Sequence, residues 1–472
     1  MKIADVIEAL SGTHPDWASA EVTGGVIDSR QAYPGAMFVA LRGENFDGHD
    51  FIQAAFMNGA CLALAQRDPG ADFKVIDLRE ENAGDLNQAV QTPFCLLVND
   101  NLASLQKIAG FWRGKMPVKV VGITGSVGKS TTKELAAEVL SQRYKTLKNP
   151  GNLNNEIGLP LTLLSLREDH QRAVLEMGFY VAGEIKLLCD LAHPEVGVIT
   201  NVGMVHAERA GSQEEIAHGK AELVQALPAA PRGTAILNFD DPWVRQMAEL
   251  TSARVFFYGL DPQADLWADN IEGLGLDGIR FRLHFRNEIL HLRAPLIGRH
   301  SVHTVLRATA VGLVEGLTWQ EIVAGLRSEE AQLRLATVRA PNSALILDDS
   351  YNASPESNLA ALNLLGELQG RKIAVLGDML ELGQYEKRGH AMVGVRAAEV
   401  VDQLITVGEK ARLIAAAARS AGLPAQSIIE LDDISQAIEK LKDCLTPDDV
   451  VLIKGSHGMH MERIVTALEA WS

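Results

Sequence analysis

Cysteine is scarce. The chain of 472 residues has four, Cys61, Cys95, Cys189 and Cys444, and no CxxC or CxxxC pair. That spacing excludes a thiolate zinc or redox motif and makes reduced thiols the expectation. Positive charge is also short. The net charge is −16, and no run of four or more basic residues occurs. Such a surface is a poor one for non-specific nucleic-acid binding. No stretch of about 18 apolar residues appears, so no membrane-crossing helix is expected. The opening MKIADVIEAL has neither a long apolar core nor a cleavage site, so no signal peptide is expected. Low-complexity segments and short repeats are missing too. These absences together predict a cytoplasmic protein with no membrane or nucleic-acid partner.

A hydrophobic fraction of 47% is ordinary for a globular chain. At about 150 residues per domain, the length suggests three domains. In the first hundred residues MFVAL, CLALAQ and FCLLVND read as strands, and HDFIQAAFMNGA as a helix between them. NLASLQKIAGFWRGKM comes next as an amphipathic helix closed by Pro117. A strand VKVVGIT opens the second region, and apolar runs recur at RAVLEMG and VGVITNVG. That is the rhythm of a parallel sheet covered on both faces. IRFRLHF and ILHLRAPL, separated by Arg286-Asn287, predict an antiparallel hairpin at its edge. A helix from about 301 to 317 leads out. From about 335 four further runs, ALILDDSY, KIAVLGDM, QLITVG and VVLIKGS, alternate with helical stretches. The expected fold class is α/β with three domains. Residues 1–100 form a smaller α/β domain, 101–333 a central P-loop-type parallel sheet, and 334–472 a Rossmann-like doubly wound sheet.

The segment VVGITGSVGKSTTKEL carries the strongest chemical signal. The usual phosphate loop is G-x-x-x-x-G-K-[ST]. Here the outer glycine is displaced: Ile123 holds its position, and glycines stand at 122 and 125. The context is nevertheless correct. A buried strand runs into Gly125-Ser126-Val127-Gly128-Lys129-Ser130-Thr131, and a helix comes after it, aiming backbone N–H groups at one point. Lys129 supplies a point charge for the β and γ phosphates, and Ser130 a hydroxyl for magnesium. The bland alternative is a glycine turn joining strand to helix.

Ligands in such a sheet bind beyond the carboxyl ends of its strands. Glu176 ends one strand, where a second magnesium ligand belongs, and His206 lies just beyond another. Taken alone, a glutamate there is more often a helix cap or surface residue, and a histidine a satisfied structural one.

The shortened loop resembles that of the Mur ligase family, ATP-dependent amide-forming enzymes of peptidoglycan synthesis. GVIDSRQAYPGAMFVALRGENFDGHDFI resembles their UDP-sugar-binding domain, and NPGNLNNEIGLPLTLL the segment after the phosphate-loop helix. NVGMVHAERAGSQEEIAHGKAEL carries the family's His and special Lys. LDDSYNASPES, VLGDMLELG and VLIKGSHGMHMERIV are similar to the member that joins D-alanyl-D-alanine to UDP-N-acetylmuramoyl-tripeptide. The resemblance runs over nearly the whole chain in order.

It implies roles. Lys129 and the Gly125–Thr131 backbone hold ATP, and Ser130 with Glu176 one magnesium ion. His206 and Lys220, the latter carbamylated by CO2, serve a second ion; otherwise Lys220 reads as a solvated helix charge. Arg334, Asp349 and Asn352 reach the nucleotide from the third domain. Ser29 and Arg30 meet the UDP-sugar, and Asn154 and Asn155 lie near the acyl acceptor of phosphate. The reaction implied is phosphorylation of the tripeptide carboxylate, then attack by the dipeptide amine. Domain closure about a hinge near 330–336 would exclude water, and the protein is expected as a monomer.

Some positions depart from the family pattern. Phe179-Tyr180-Val181 replaces Ala-Asn-His. Ser301 and Thr304 stand where Asn is usual, the second Asn being an adenine contact, and His460 stands where Arg is common. The alternatives are a sister ligase adding a single amino acid, a P-loop ATPase or GTPase acting as a switch or motor, and a non-catalytic binding module. The segments DDSYNASP and GDMLELG favour the dipeptide-adding type.

Overall fold

Uninterrupted apolar runs mark the strands that are buried on both faces. The computed structural model describes residues 1–43, 46–79, 86, 89–204, 208, 211–328 and 336–471. They fall into two compact units. One comprises Met1–Gly122, Tyr144–Gly178 and Glu184–Glu195, the other Ile123–Arg143, Phe179–Gly183 and Val196–Ser472.

The first unit opens with a wholly parallel sheet. Its strands are β1 (Gly24–Val26), β2 (Ala36–Val39), β3 (Leu62–Ala65), β4 (Val75–Asp77) and β5 (Phe94–Leu97), in the order β1-β2-β3-β5-β4. The helix Asn101–Lys115 starts at Asp100, whose carboxylate accepts from the Ala103 N–H. Asn101 Nδ2 donates to the Ala40 carbonyl, and Lys107 Nζ to that of Leu10. The helix is thus bonded both to the end of the N-terminal sheet and to the first helix, Ile3–Ser11. The unit also holds β7 (Thr146–Lys148) and β8 (Arg172–Glu176), a parallel pair.

Strand β6 (Lys119–Thr124) is shared by the two units. The second unit continues with β9 (Val196–Ile199), β10 (Thr234–Asn238), β11 (Arg254–Gly259), β12 (Leu266–Gly273), β13 (Ile279–Phe285) and β14 (Glu288–Ala294). The sheet order is β14-β13-β12-β11-β10-β9-β6-β8-β7. Strands β9 to β12 run parallel, and β13 and β14 turn back antiparallel, which is the expected edge hairpin. Arg286 in its two-residue turn has φ +52°, as the tight turns that match strand twist require.

The C-terminal sheet contains β15 (Ala336–Arg339), β16 (Leu345–Asp349), β17 (Arg371–Gly377), β18 (Gln403–Val407), β19 (Ile428–Leu431) and β20 (Asp449–Lys454). Its order is β15-β16-β20-β17-β18-β19, and only β15 is antiparallel. Successive residues alternate between two cores: Leu347, Ala374, Leu376 and Leu404 on one face, and Ile346, Ile373, Val375 and Ile405 on the other. Both faces are covered, as in a doubly wound sheet.

The expected fold class therefore holds: three α/β sheets, the central one built around a phosphate loop. The strands β1, β4, β7, β10 to β12, β15 and β19 were not legible in the sequence. Several are short, and the edge strands β4 and β19 are not fully buried. The expected hinge lies outside the described residues except for Ala336, which begins β15.

Candidate active site

The loop after β6 is shaped by its glycines. A Cβ on Gly125 would stand 1.8 Å from Thr200 Oγ1, and its φ is +144°. Gly128, at φ +82°, caps the helix Lys129–Ser141 without any side-chain cap bond. The first N–H groups of that helix are thus left to an outside acceptor. The loop is braced from behind by the segment after β9. Val127 N donates to Asn201 Oδ1 at 2.9 Å, Asn201 Nδ2 to the Val127 carbonyl at 3.2 Å, and Gly203 N to Ser126 Oγ at 2.8 Å. Lys129 Nζ donates to the carbonyls of Gly125 and Ser126, at 2.9 and 3.2 Å. Ser130 is buried, and Thr131 lies in the same first turn.

Lys220 sits on the helix Gln213–Gln225, fully buried rather than solvated. Burial, and then the charge of Lys129, hold its pKa well below the usual lysine value. Its Nζ lies 4.9 Å from the centre of the Phe179 ring. Phe179 is seated against Gly219, where a Cβ would come 1.9 Å from its Cε2. The departure at 179 therefore packs directly beside Lys220.

Thr304 is buried on the helix Val302–Val314 and accepts from Arg307 Nη2 at 2.8 Å. At the end of β16, Asp349 Oδ2 and the Asn352 carbonyl both accept from Lys454 Nζ, at 2.7 and 2.8 Å. Lys454 ends β20 and is buried. The segment 201–204 is also touched by the helix Pro355–Glu367, which follows β16: Met204 N donates to Glu356 Oε1 at 3.2 Å.

In the first unit, Glu176 is 2% exposed. Its Oε1 accepts from Asn154 Nδ2 at 2.8 Å, while Oε2 is buried without a partner. A buried carboxylate oxygen left unpaired suits a hard cation. Asn155 Oδ1 accepts from the N–H groups of Ile157 and Gly158. Ser29 starts a short turn, and its carbonyl accepts from Asn58 Nδ2. Arg30 is exposed and paired with Asp28, whose carboxyl is held down to about 2 by that partner. Among the described residues, Asp5, Glu8 and His14 also cluster. There the Lys115 ammonium already bonds Asp5 and Glu8.

His206 and Arg334 lie outside the described residues. Within the second unit, Lys129 and Lys220 come close enough to interact, and Asp349 and Asn352 share Lys454. Sequence reasoning missed Asn201, Arg307 and Lys454. Only Lys454 left a signal, as the last residue of a buried strand running into Gly-Ser.

This loop, its uncapped helix and its buried cations define a P-loop type of nucleotide-binding α/β protein. Three family models cover the chain: "Mur ligase family, catalytic domain" at 21–91, "Mur ligase middle domain" at 123–312, and "Mur ligase, glutamate ligase domain" at 333–457. A UDP-N-acetylmuramoyl-tripeptide–D-alanyl-D-alanine ligase from Synechocystis is 37% identical over 94% of this chain and 91% of its own length. A crystal structure of MurF from Acinetobacter baumannii superposes with TM-score 0.83 at 30% identity, covering 98% of both chains. The MurF ligase from Thermotoga maritima, solved in complex with ADP, gives 0.76 at 28% identity over 95% of this chain and 97% of that one. The chain belongs to the Mur ligase family.

Proposed function

We propose that this chain is an ATP-dependent ligase joining D-alanyl-D-alanine to UDP-N-acetylmuramoyl-tripeptide, in cytoplasmic peptidoglycan precursor synthesis. One observation carries the reading. Relatives with that name match nearly the full length of this chain, one at 37% identity. The parts are taken as 1–100 for the UDP-sugar, 101–333 for ATP and 334–472 for the dipeptide, within a monomer.

Carboxylate is a poor electrophile, so the tripeptide carboxylate first attacks the γ-phosphate of ATP, releasing ADP and leaving an acyl phosphate. The amine of the dipeptide then attacks the acyl carbon, and phosphate departs. The loop Gly125–Thr131 orients the nucleotide, and Lys129 exchanges its own loop carbonyls for phosphate oxygens. Asp349 and Asn352, held by Lys454, would reach the nucleotide from the third part. Ser29 and Arg30 contact the UDP-sugar, and Asn154 and Asn155 the phosphate acceptor. Ser130 and Glu176 are the magnesium ligands of this reading, supported by the unpartnered Glu176 Oε2. Magnesium, when bound, offsets the phosphate charge.

The depressed pKa of Lys220 favours a neutral amine. Such an amine adds to the carbon of CO2 and gives up a proton to solvent, leaving an anionic carbamate for a second magnesium. His206 is the further ligand for that ion. The expected outcome is a rate that falls in CO2-depleted buffer and recovers with bicarbonate. An unchanged rate would remove the carbamate from the account.

The function itself is tested by phosphate release from ATP and magnesium with the UDP-muramoyl-tripeptide present. We expect release only when D-alanyl-D-alanine is added, with an amide product by mass. Release with a single amino acid would identify a sister ligase, and release with neither substrate a switch-type ATPase.

A further inference from the structure

The helix Val302–Val314 brings one more cation to the phosphate loop. Arg307 is 4% exposed. Its Nη2 donates to Thr304 Oγ1, and a Cβ on Gly128 would stand 2.9 Å from that same nitrogen. The guanidinium carbon lies 5.9 Å from the centre of the Tyr258 ring. The Tyr258 hydroxyl donates to the carbonyls of Ile199 and Thr200. Arg307 Nε is buried with no hydrogen-bond partner. Among the described residues, no carboxylate forms an ion pair with this guanidinium.

A guanidinium does not shed its proton in a protein. Burying one without an anion is costly. Its position is therefore informative: it lies against the glycine that opens an uncapped helix, where backbone N–H groups already address an anion.

We propose that Arg307 is a nucleotide-binding residue whose guanidinium contacts a phosphate oxygen of the nucleoside di- or triphosphate held by Gly125–Thr131. The proposal rests on the ATP reading above and adds a residue to it.

The test is calorimetry of the full chain with ADP and with adenosine, for wild type, R307M and R307K, alongside melting curves with and without ADP. R307M should bind ADP about tenfold or more weakly, the size expected for losing one charged hydrogen bond. R307K should lose less, because it keeps the charge. The adenosine affinity should hold, and the ADP-induced rise in melting temperature should shrink in R307M. Equal ADP affinity in R307M and wild type overturns the proposal. So does an equal loss for adenosine, or a ligand-free variant that melts lower yet keeps the full ADP-induced rise. A wild type that binds no ADP would overturn the nucleotide reading itself, and this proposal with it.

Discussion

Tyr258 is the clearest single-residue gauge of how dry the wall beside the phosphate loop is. Burial pushes its phenol up to about 12, although Arg307 pulls the other way. An unfolded tyrosine ionises near pH 10, by a rough reference value. Between these values the unfolded chain loses a proton that the folded chain keeps. The contribution to stability is therefore full below about pH 10 and is lost as pH rises through about 12. Wild type should lose stability relative to Tyr258→Phe across that window, read as the gap between their melting temperatures. A constant gap would mean that this hydroxyl does not sense its burial. Legibility at this scale divided by distance in sequence. Lys129 and Ser130 stood inside one local pattern and were readable. Arg307 meets the phosphate loop at Gly128, and Lys454 meets Asp349 and Asn352, each more than a hundred positions away, and no spacing rule reaches that far.

The strand-loop-helix element was legible because three local signals agree: a buried strand, glycines at a turn, and an amphipathic helix. Its first glycine is constrained twice over, by a positive φ and by Thr200 standing where a side chain would go. Gly125→Ala must therefore shift the loop away from the end of β9. A misplacement of that order costs about 100-fold in rate, so substrate-dependent phosphate release should fall by roughly that factor. A variant with near-normal turnover would show that the loop tolerates the displacement. Elements without such agreement stayed hidden. The strand β4 has only three residues, none of them buried, which leaves no alternation to read. Gly219 and Phe179 illustrate a different limit: the glycine of one helix receives a ring from the loop after β8, and no local pattern pairs the two.

At the scale of the whole molecule, three restarts of the strand-helix rhythm were readable and gave three sheets. The compact units cut across that division within β6, because packing around the helix Asn101–Lys115 is not written in any periodicity. The bond from Met204 to Glu356 belongs to this scale as well. Glu356 opens the helix Pro355–Glu367, and the segment it grips also holds Ser126 through Gly203. Two hydrogen bonds thus separate the phosphate loop from the helix Pro355–Glu367. Linkage between such points is reciprocal. Whatever factor the nucleotide contributes to holding that helix in place, a ligand that holds the helix returns to the nucleotide.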